Sequence, residues 1–214
     1  MRTRPKPWAD REIAENLSII QEPAEMKGRW AELFGNSNPI YLEIGCGKGG
    51  FIVKMAQKHP DINFIGLEKQ TGVIVMGLRS AKELNYPQNL KFMRYEADFL
   101  NEVFEESELS RIYINFCDPW RTKAKWRKRR LTHRGFLDIY KSLIPNCEIF
   151  FKTDNHELFI FSLTEFEESG FALSNVSYDL KNDNYDDNIV TEYEQRFMDL
   201  GQPIYRTEAR FTRP

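Results

Sequence analysis

Cysteine and histidine are scarce in this chain, with three of each in 214 residues. Cys46, Cys117 and Cys147 form no CxxC pair, and His59, His133 and His156 form no HExxH. A zinc site needs clustered nitrogen and sulfur ligands, so no metal is expected. An odd, sparse set of thiols fits a reducing compartment, and a cytoplasmic location is expected. Long apolar runs are missing as well. None approaches the ~20 residues of a spanning helix, so no membrane partner is expected. Residues 1–8 hold Arg2, Arg4 and Lys6 with no apolar stretch behind them, unlike a secretory signal. Large net charge is also absent: the formal value is −2, which excludes a general polycation. Internal repeats and low-complexity tracts are not found.

What is present is alternation. Runs rich in β-branched and aromatic residues lie at 40–44, 62–67, 90–93, 111–117 and 147–152. Helical spacing fills the gaps. Val73, Met76, Gly77, Ala81 and Leu84 follow Gln70 on one face; Phe136, Ile139, Tyr140 and Leu143 follow Thr132, a predicted N-cap. Phe159, Leu163 and Phe166 mark a further helix opened near Asn155. Two late strands, 171–179 and 204–211, flank a polar loop at 181–188 and a short helix from Thr191. The pattern predicts an α/β chain with a mostly parallel seven-stranded sheet, helices on both faces and an antiparallel C-terminal strand. Residues 1–36 are expected to form a basic arm and a helix around 24–34, ahead of one domain spanning 37–214.

Gly45, Gly47 and Gly50 fit G-x-G-x-x-G between a strand and a helix. Glycines let the backbone turn tightly and let a ligand approach the main chain. Nicotinamide and flavin cofactors use the same spacing, and a tight turn without a ligand would look alike. Glu43 shifts the choice. A carboxylate just before the loop repels a pyrophosphate but suits the amino group of a methionine moiety. Glu68 closes the second strand, where an acid can accept both ribose hydroxyls. Glu96, or failing it Asp98, is placed to reach or flank an adenine. Any one of these acids could be a solvated strand end. Together they mark the carboxyl edge at which open parallel sheets bind ligands.

The fourth strand runs into Asp118-Pro119-Trp120. A carboxylate, a rigid proline and a flat ring can orient a base by hydrogen bonding and stacking, although an Asp-Pro turn can also merely end a strand. Directly afterwards come Arg121, Lys123, Lys125, Arg127, Lys128, Arg129, Arg130 and Arg134 with no acid among them. Cations on phosphates give affinity and an aromatic such as Trp126 can stack on a base, so a nucleic acid is expected as substrate.

EIGCGKGGF, the acid of GLE, NFCDPW with its basic continuation to RRL, FKTDN and TEYEQRF together resemble the bacterial tRNA (guanine-N7)-methyltransferase family. The likeness runs from Ile40 to Phe211 in order. It implies a Rossmann-like S-adenosylmethionine-dependent methyltransferase fold and methylation of a guanine in the tRNA variable loop. It maps Glu43, Glu68, Glu96 and Asp118 to cofactor positions, and Asp118 to the catalytic one as well. Thr122, Asp154 and the run Thr191, Glu192, Tyr193 and Glu194 map to substrate positions. Lys125, Trp126, Arg127, Lys128, Arg129 and Arg130 map to the RNA contact. Many members carry lysine where this chain has Thr122, which leaves the role of Thr122 in doubt; Lys123 can supply the charge. A homodimer is compatible with the resemblance, though no interface is legible.

Guanine N7 already carries a lone pair, so attack needs no base. Asp154 and Glu194 are expected to accept from guanine N1–H and the N2 amino group, a donor pair that adenine lacks. Three rivals remain at this point. An NAD-dependent dehydrogenase shares the glycine spacing but not Glu43 or the basic stripe. An exocyclic-amine nucleic-acid methyltransferase shares the Asp-Pro-Trp character. An RNA-binding module with a vestigial cofactor fold would not be expected to keep acids at every strand end.

Overall fold

The computed structural model describes residues 7–213 apart from 122, 184, 186 and 187. Thr122 and the basic arm at 1–6 therefore lie outside the described residues. Two compact units divide after Leu109.

In the first unit, α1 (Pro7–Glu15) and β1 (Ile19–Ile20) lead to a 3₁₀ turn at Pro23–Met26 and to α2 (Trp30–Phe34). The single helix expected over 24–34 is thus two pieces. Gly28, at φ +75°, breaks it, and a Cβ there would meet the Glu105 carboxyl at 3.1 Å. Trp30 is fully buried; its indole N–H donates to the Val103 carbonyl at 3.0 Å and its ring stacks on Phe104 at 5.0 Å. Then follow β2 (Ile40–Ile44), α3 (Ile52–Lys58), β3 (Asn63–Leu67), α4 (Thr71–Glu83), β4 (Leu90–Met93) and α5 (Leu100–Val103). The strands lie in the order β1-β4-β3-β2, all parallel, with Leu42 opposite Ile65 and Gly66 opposite Phe92. Both faces of β3 are buried along its whole length, as a central parallel strand requires.

The second unit holds β5 (Arg111–Asn115), α6 (Arg134–Leu143), β6 (Asn146–Thr153), α7 (His156–Glu168), β7 (Ala172–Ser177), α8 (Glu192–Asp199) and β8 (Tyr205–Thr212). Its order is β5-β6-β8-β7. β5 and β6 are parallel; β8 runs antiparallel to both β6 and β7. Among the described residues eight strands result where seven are expected. The addition is β1, whose two residues are too few to show any period. Helix starts follow side-chain chemistry. Asn155 accepts from the Leu158 N–H at 2.8 Å and caps α7. α6 is capped by His133 and not by Thr132: His133 Nδ1 accepts from the Gly135 N–H. Thr132 instead sits buried with its hydroxyl 2.6 Å from that of Ser162.

Candidate active site

In the first unit the glycine loop leaves the end of β2. The N–H groups of Gly45 and Cys46 both donate to the Leu67 carbonyl, at 2.8 and 2.9 Å, which folds the loop over the end of β3. Gly45 and Gly47 take φ of +75° and +58°. A Cβ at Gly45 would meet nothing within 4 Å, so this main chain faces open space. The third close approach is made by Gly49 instead of Gly50. At φ +75°, a Cβ on Gly49 would come 3.1 Å from the Cα of Gly77 in α4. Beside the loop, Glu43 is 3% and Glu68 8% exposed. Glu68 Oε1 accepts from the Gln70 N–H at 2.9 Å, which fixes one of its oxygens. Burial, and then the charges of Glu43 and Glu68, push the Cys46 thiol well above its ordinary range, so both carboxylates lie close to this one side chain.

Glu96 and Asp98 lie beyond β4, on the lead into a 3₁₀ turn at Ala97–Phe99, and both are exposed. Glu96 lines a cavity of about 520 Å³ together with Lys69, Arg94, Tyr95, Phe99 and Glu102. The Tyr95 hydroxyl donates to Glu102 at 2.7 Å, and that bond raises it to about 12.

In the second unit β5 ends at Asn115, and the chain turns sharply. Phe116 and Trp120 adopt φ of +52° and +47°, a region that side-chain-bearing residues seldom occupy. Asp118 lies between them, exposed, and its Oδ1 accepts from the Trp120 N–H at 2.9 Å. Burial pushes the Cys117 thiol up to about 12; a backbone hydrogen bond and the charge of Arg130 oppose it, and the charges of Asp118 and, least, Asp154 add to it. The fields of Asp118 and Asp154 thus both reach this one side chain. Burial first and Asp154 second also hold the Tyr193 hydroxyl above the ordinary phenol range, with Arg196 and Arg121 opposing. Tyr193 packs on Phe116 at 5.0 Å and on Phe197 at 4.8 Å, yet stays 45% exposed.

Thr191 caps α8, its hydroxyl accepting from the Glu194 N–H at 3.1 Å. Thr191 and Glu194 have the spacing of a capping box, but the Glu194 side chain is engaged elsewhere. Glu194 is 1% exposed, with Oε2 accepting from Lys152 Nζ at 2.8 Å and Oε1 from Asn188 Nδ2 at 2.6 Å. Glu192, on the first turn of the helix, is exposed. Neither Lys152, which lies within FKTDN, nor Asn188 has a role expected from the sequence; a lysine inside an apolar strand is the signal that points to the first.

The basic stripe forms a 3₁₀ segment, Ala124–Arg129. Lys125, Arg127, Lys128 and Arg129 are exposed, and Trp126 is half-buried. Trp126 meets Trp120 edge to face at 6.0 Å, while the Arg129 guanidinium lies 5.0 Å from the Trp120 ring and Lys123 5.3 Å from Trp126. Arg130 stands apart from these. Its side chain is 1% exposed and paired with Glu157, so burial withholds it from the surface that the rest of the stripe presents. Arg134 is likewise taken up, by Glu165 and Glu168.

A family model described as "Putative methyltransferase" matches residues 37–207. A tRNA (guanine-N(7)-)-methyltransferase of Bacillus subtilis is 49% identical over 213 residues, covering 99% of both chains. One of Listeria welshimeri is 49% identical over 215 residues, covering 100% of both. The chain belongs to the tRNA (guanine-N7)-methyltransferase family. Among solved structures, the 16S rRNA methyltransferase KamB superposes with a TM-score of 0.64 at 12% identity, covering 86% of this chain and 93% of that one. A 16S rRNA (adenine(1408)-N(1))-methyltransferase solved with its cosubstrate SAM gives 0.60 at 14%, covering 91% and 93%. At such identities the likeness is one of fold, and that fold is the Rossmann-like methyltransferase fold.

Proposed function

We propose that the chain transfers the methyl group of S-adenosylmethionine to N7 of a guanine in the tRNA variable loop. The observation that carries this reading is an exposed carboxylate, Asp118, fixed in a turn that runs into an exposed cation–aromatic patch, within a chain 49% identical over its length to a relative named for that reaction. The residues of the first unit fit the methyl donor. Main chain at Gly45 borders open space, and carboxylates stand beside it on Glu43 and Glu68. In the proposal the main chain at Gly45 and Gly47 borders the donor. Glu43 holds its amino group and Glu68 its ribose hydroxyls. Glu96, which lines the cavity, is preferred to Asp98 for the adenine end.

S-adenosylmethionine supplies an electrophilic methyl; the protein supplies position. Orientation of two reactants can account for up to roughly 7–11 kcal/mol of a barrier. As N7 is methylated the guanine ring gains positive charge, and the Asp118 carboxylate stabilises that charge. Asp154 and Glu194 accept from guanine N1–H and the N2 amino group. Each oxygen of Glu194 is already engaged and the residue is 1% exposed, so it reaches the guanine only when the start of α8 shifts to uncover it, with a second lone pair left on each oxygen. Thr191 holds the start of α8, Glu192 flanks it, and Tyr193 offers a ring for stacking. Lys125, Arg127, Lys128 and Arg129 meet phosphates, and Trp126 meets a base. Residues 37–214 carry this machinery.

Among the described residues no helix is long and apolar enough to cross a membrane. The proposal includes a cytoplasmic location, where tRNA is found, and a homodimer, which sedimentation equilibrium tests. The reaction itself is tested by incubating the protein with donor and unmodified tRNA, then analysing nucleosides by mass spectrometry. 7-Methylguanosine is expected. A methylated exocyclic amine in its place would overturn the reading in favour of amine chemistry.

A further inference from the structure

Arg130 belongs to the basic stripe in sequence and to the interior in structure. Its Nε donates to the Pro119 carbonyl at 2.8 Å and its Nη2 to Glu157 Oε1 at 2.8 Å. The guanidinium carbon lies 4.5 Å from the centre of the Phe161 ring. Glu157 stands in the first turn of α7, the helix that begins just after Asp154. One side chain thus ties the turn bearing Asp118 to the start of the helix next to Asp154.

We propose that Arg130 is a positioning residue for methyl transfer, clasping the Asp118–Trp120 turn so that the Asp118 carboxylate keeps its place, and that it makes no contact with RNA. This rests on the reading that Asp118 serves the reaction. The turn needs such a clasp. Phe116 and Trp120, on either side of Asp118, both occupy the left-handed region. A backbone of that kind persists only where its surroundings over-determine it. The bond from Asp118 to the Trp120 N–H closes the turn locally, and the bond from Arg130 to the Pro119 carbonyl anchors it to the unit. A planar guanidinium is suited to two acceptors at once and to a ring face, which a lysine cannot match. Charge points the same way. Glu157 is held below the usual carboxylate range chiefly by its hydrogen bond with Arg130, so this cation is already balanced by an acid. It has little charge left to offer a phosphate.

The test uses the full chain, unmodified tRNA and saturating donor. Arg130→Gln is expected to lower kcat ~100-fold, the loss that a misplacement of about 1 Å can cause. Its tRNA affinity, the salt dependence of that affinity and its donor affinity by calorimetry should match the parent protein. Arg129→Gln, in contrast, should weaken tRNA binding and flatten the salt dependence. A flattened salt dependence in Arg130→Gln, or an undiminished kcat, would overturn the proposal. If that variant fails to fold, Arg130→Lys replaces it. Lysine keeps the charge but has a single donor nitrogen in place of the guanidinium fork, so a reduced kcat with unchanged tRNA binding is expected, and the parent kcat would overturn the proposal. Asp118→Ala separates the two readings. Full activity in Asp118→Ala removes Asp118 itself from the reaction. If Asp118→Ala is crippled, adding Arg130→Gln should cost nothing more; a further loss of the same factor would show that Arg130 acts independently and would sink the proposal.

Discussion

At the scale of single residues, carboxylates and thiols divide by surroundings. Asp118 is exposed and held by one backbone bond, so its removal should leave the unit folded. Asp118→Ala is expected to lose at least ~100-fold in kcat, the typical cost of one group that stabilises developing charge, with tRNA binding retained in a filter assay. Glu68 is buried beside the glycine loop, and Glu68→Ala should weaken donor affinity by calorimetry without altering the tRNA affinity. The thiols are a different case. Burial raises Cys117 and Cys147 to about 12. Against an ordinary thiol value of about 8.5, this leaves roughly one part in ten thousand as thiolate at pH 8. Iodoacetamide at pH 8 should therefore label neither cysteine in the native protein while labelling the urea-unfolded chain readily. Rapid native labelling of Cys147 would contradict its full burial, while at the half-buried Cys117 it would contradict the raised thiol. The folded values lie above the unfolded ones, so these thiols favour the unfolded chain once the pH passes about 8.5, because it loses their protons first. Single acids such as Glu43 and Glu68 were legible as strand-end residues. The inward course of Arg130 was not, because neighbouring arginines look alike until tertiary packing gives one of them Pro119 and Glu157 as partners.

Elements were legible where a period could repeat. The expected strands 40–44 and 90–93 match β2 and β4 end to end. Asn155 and Thr191 cap the helices they were expected to open. β1 and the break at Gly28 escaped, the first for want of length and the second because its cause, Glu105, is remote in sequence. The Glu194 side chain does not return to the start of α8, because Lys152, only 5% exposed, requires a counter-charge. Two predictions belong to this scale. Thr191→Ala removes the cap of α8 and should cost about 1 kcal/mol in urea denaturation. Lys152→Met leaves Glu194 buried without its cation and should cost about 3–5 kcal/mol. A cost near zero for Lys152→Met would show that α8 is not held by that pair.

For the molecule as a whole, a net charge of −2 and a cationic surface coexist because acids and bases are segregated along the chain. Association with tRNA should respond to the local surface and not to the net value. Neutralising Lys125, Lys128 and Arg129 together should reduce the slope of log affinity against log salt by about 2–3, taking ~0.7–0.9 per phosphate contact. An unchanged slope would reduce the stripe to a solvated face. The glycine loop and α4 carry one further consequence. Gly49 combines a left-handed φ of +75° with a Cβ position 3.1 Å from the Gly77 Cα, and a Cβ on Gly77 would lie 3.1 Å from the Phe92 ring. In a library of all single substitutions selected for function, Gly49 should return no winners and Gly77 at most alanine, which needs only a small shift of that ring. Gly35, where a Cβ would meet nothing within 4 Å, should accept asparagine, a residue that tolerates its left-handed φ of +69°.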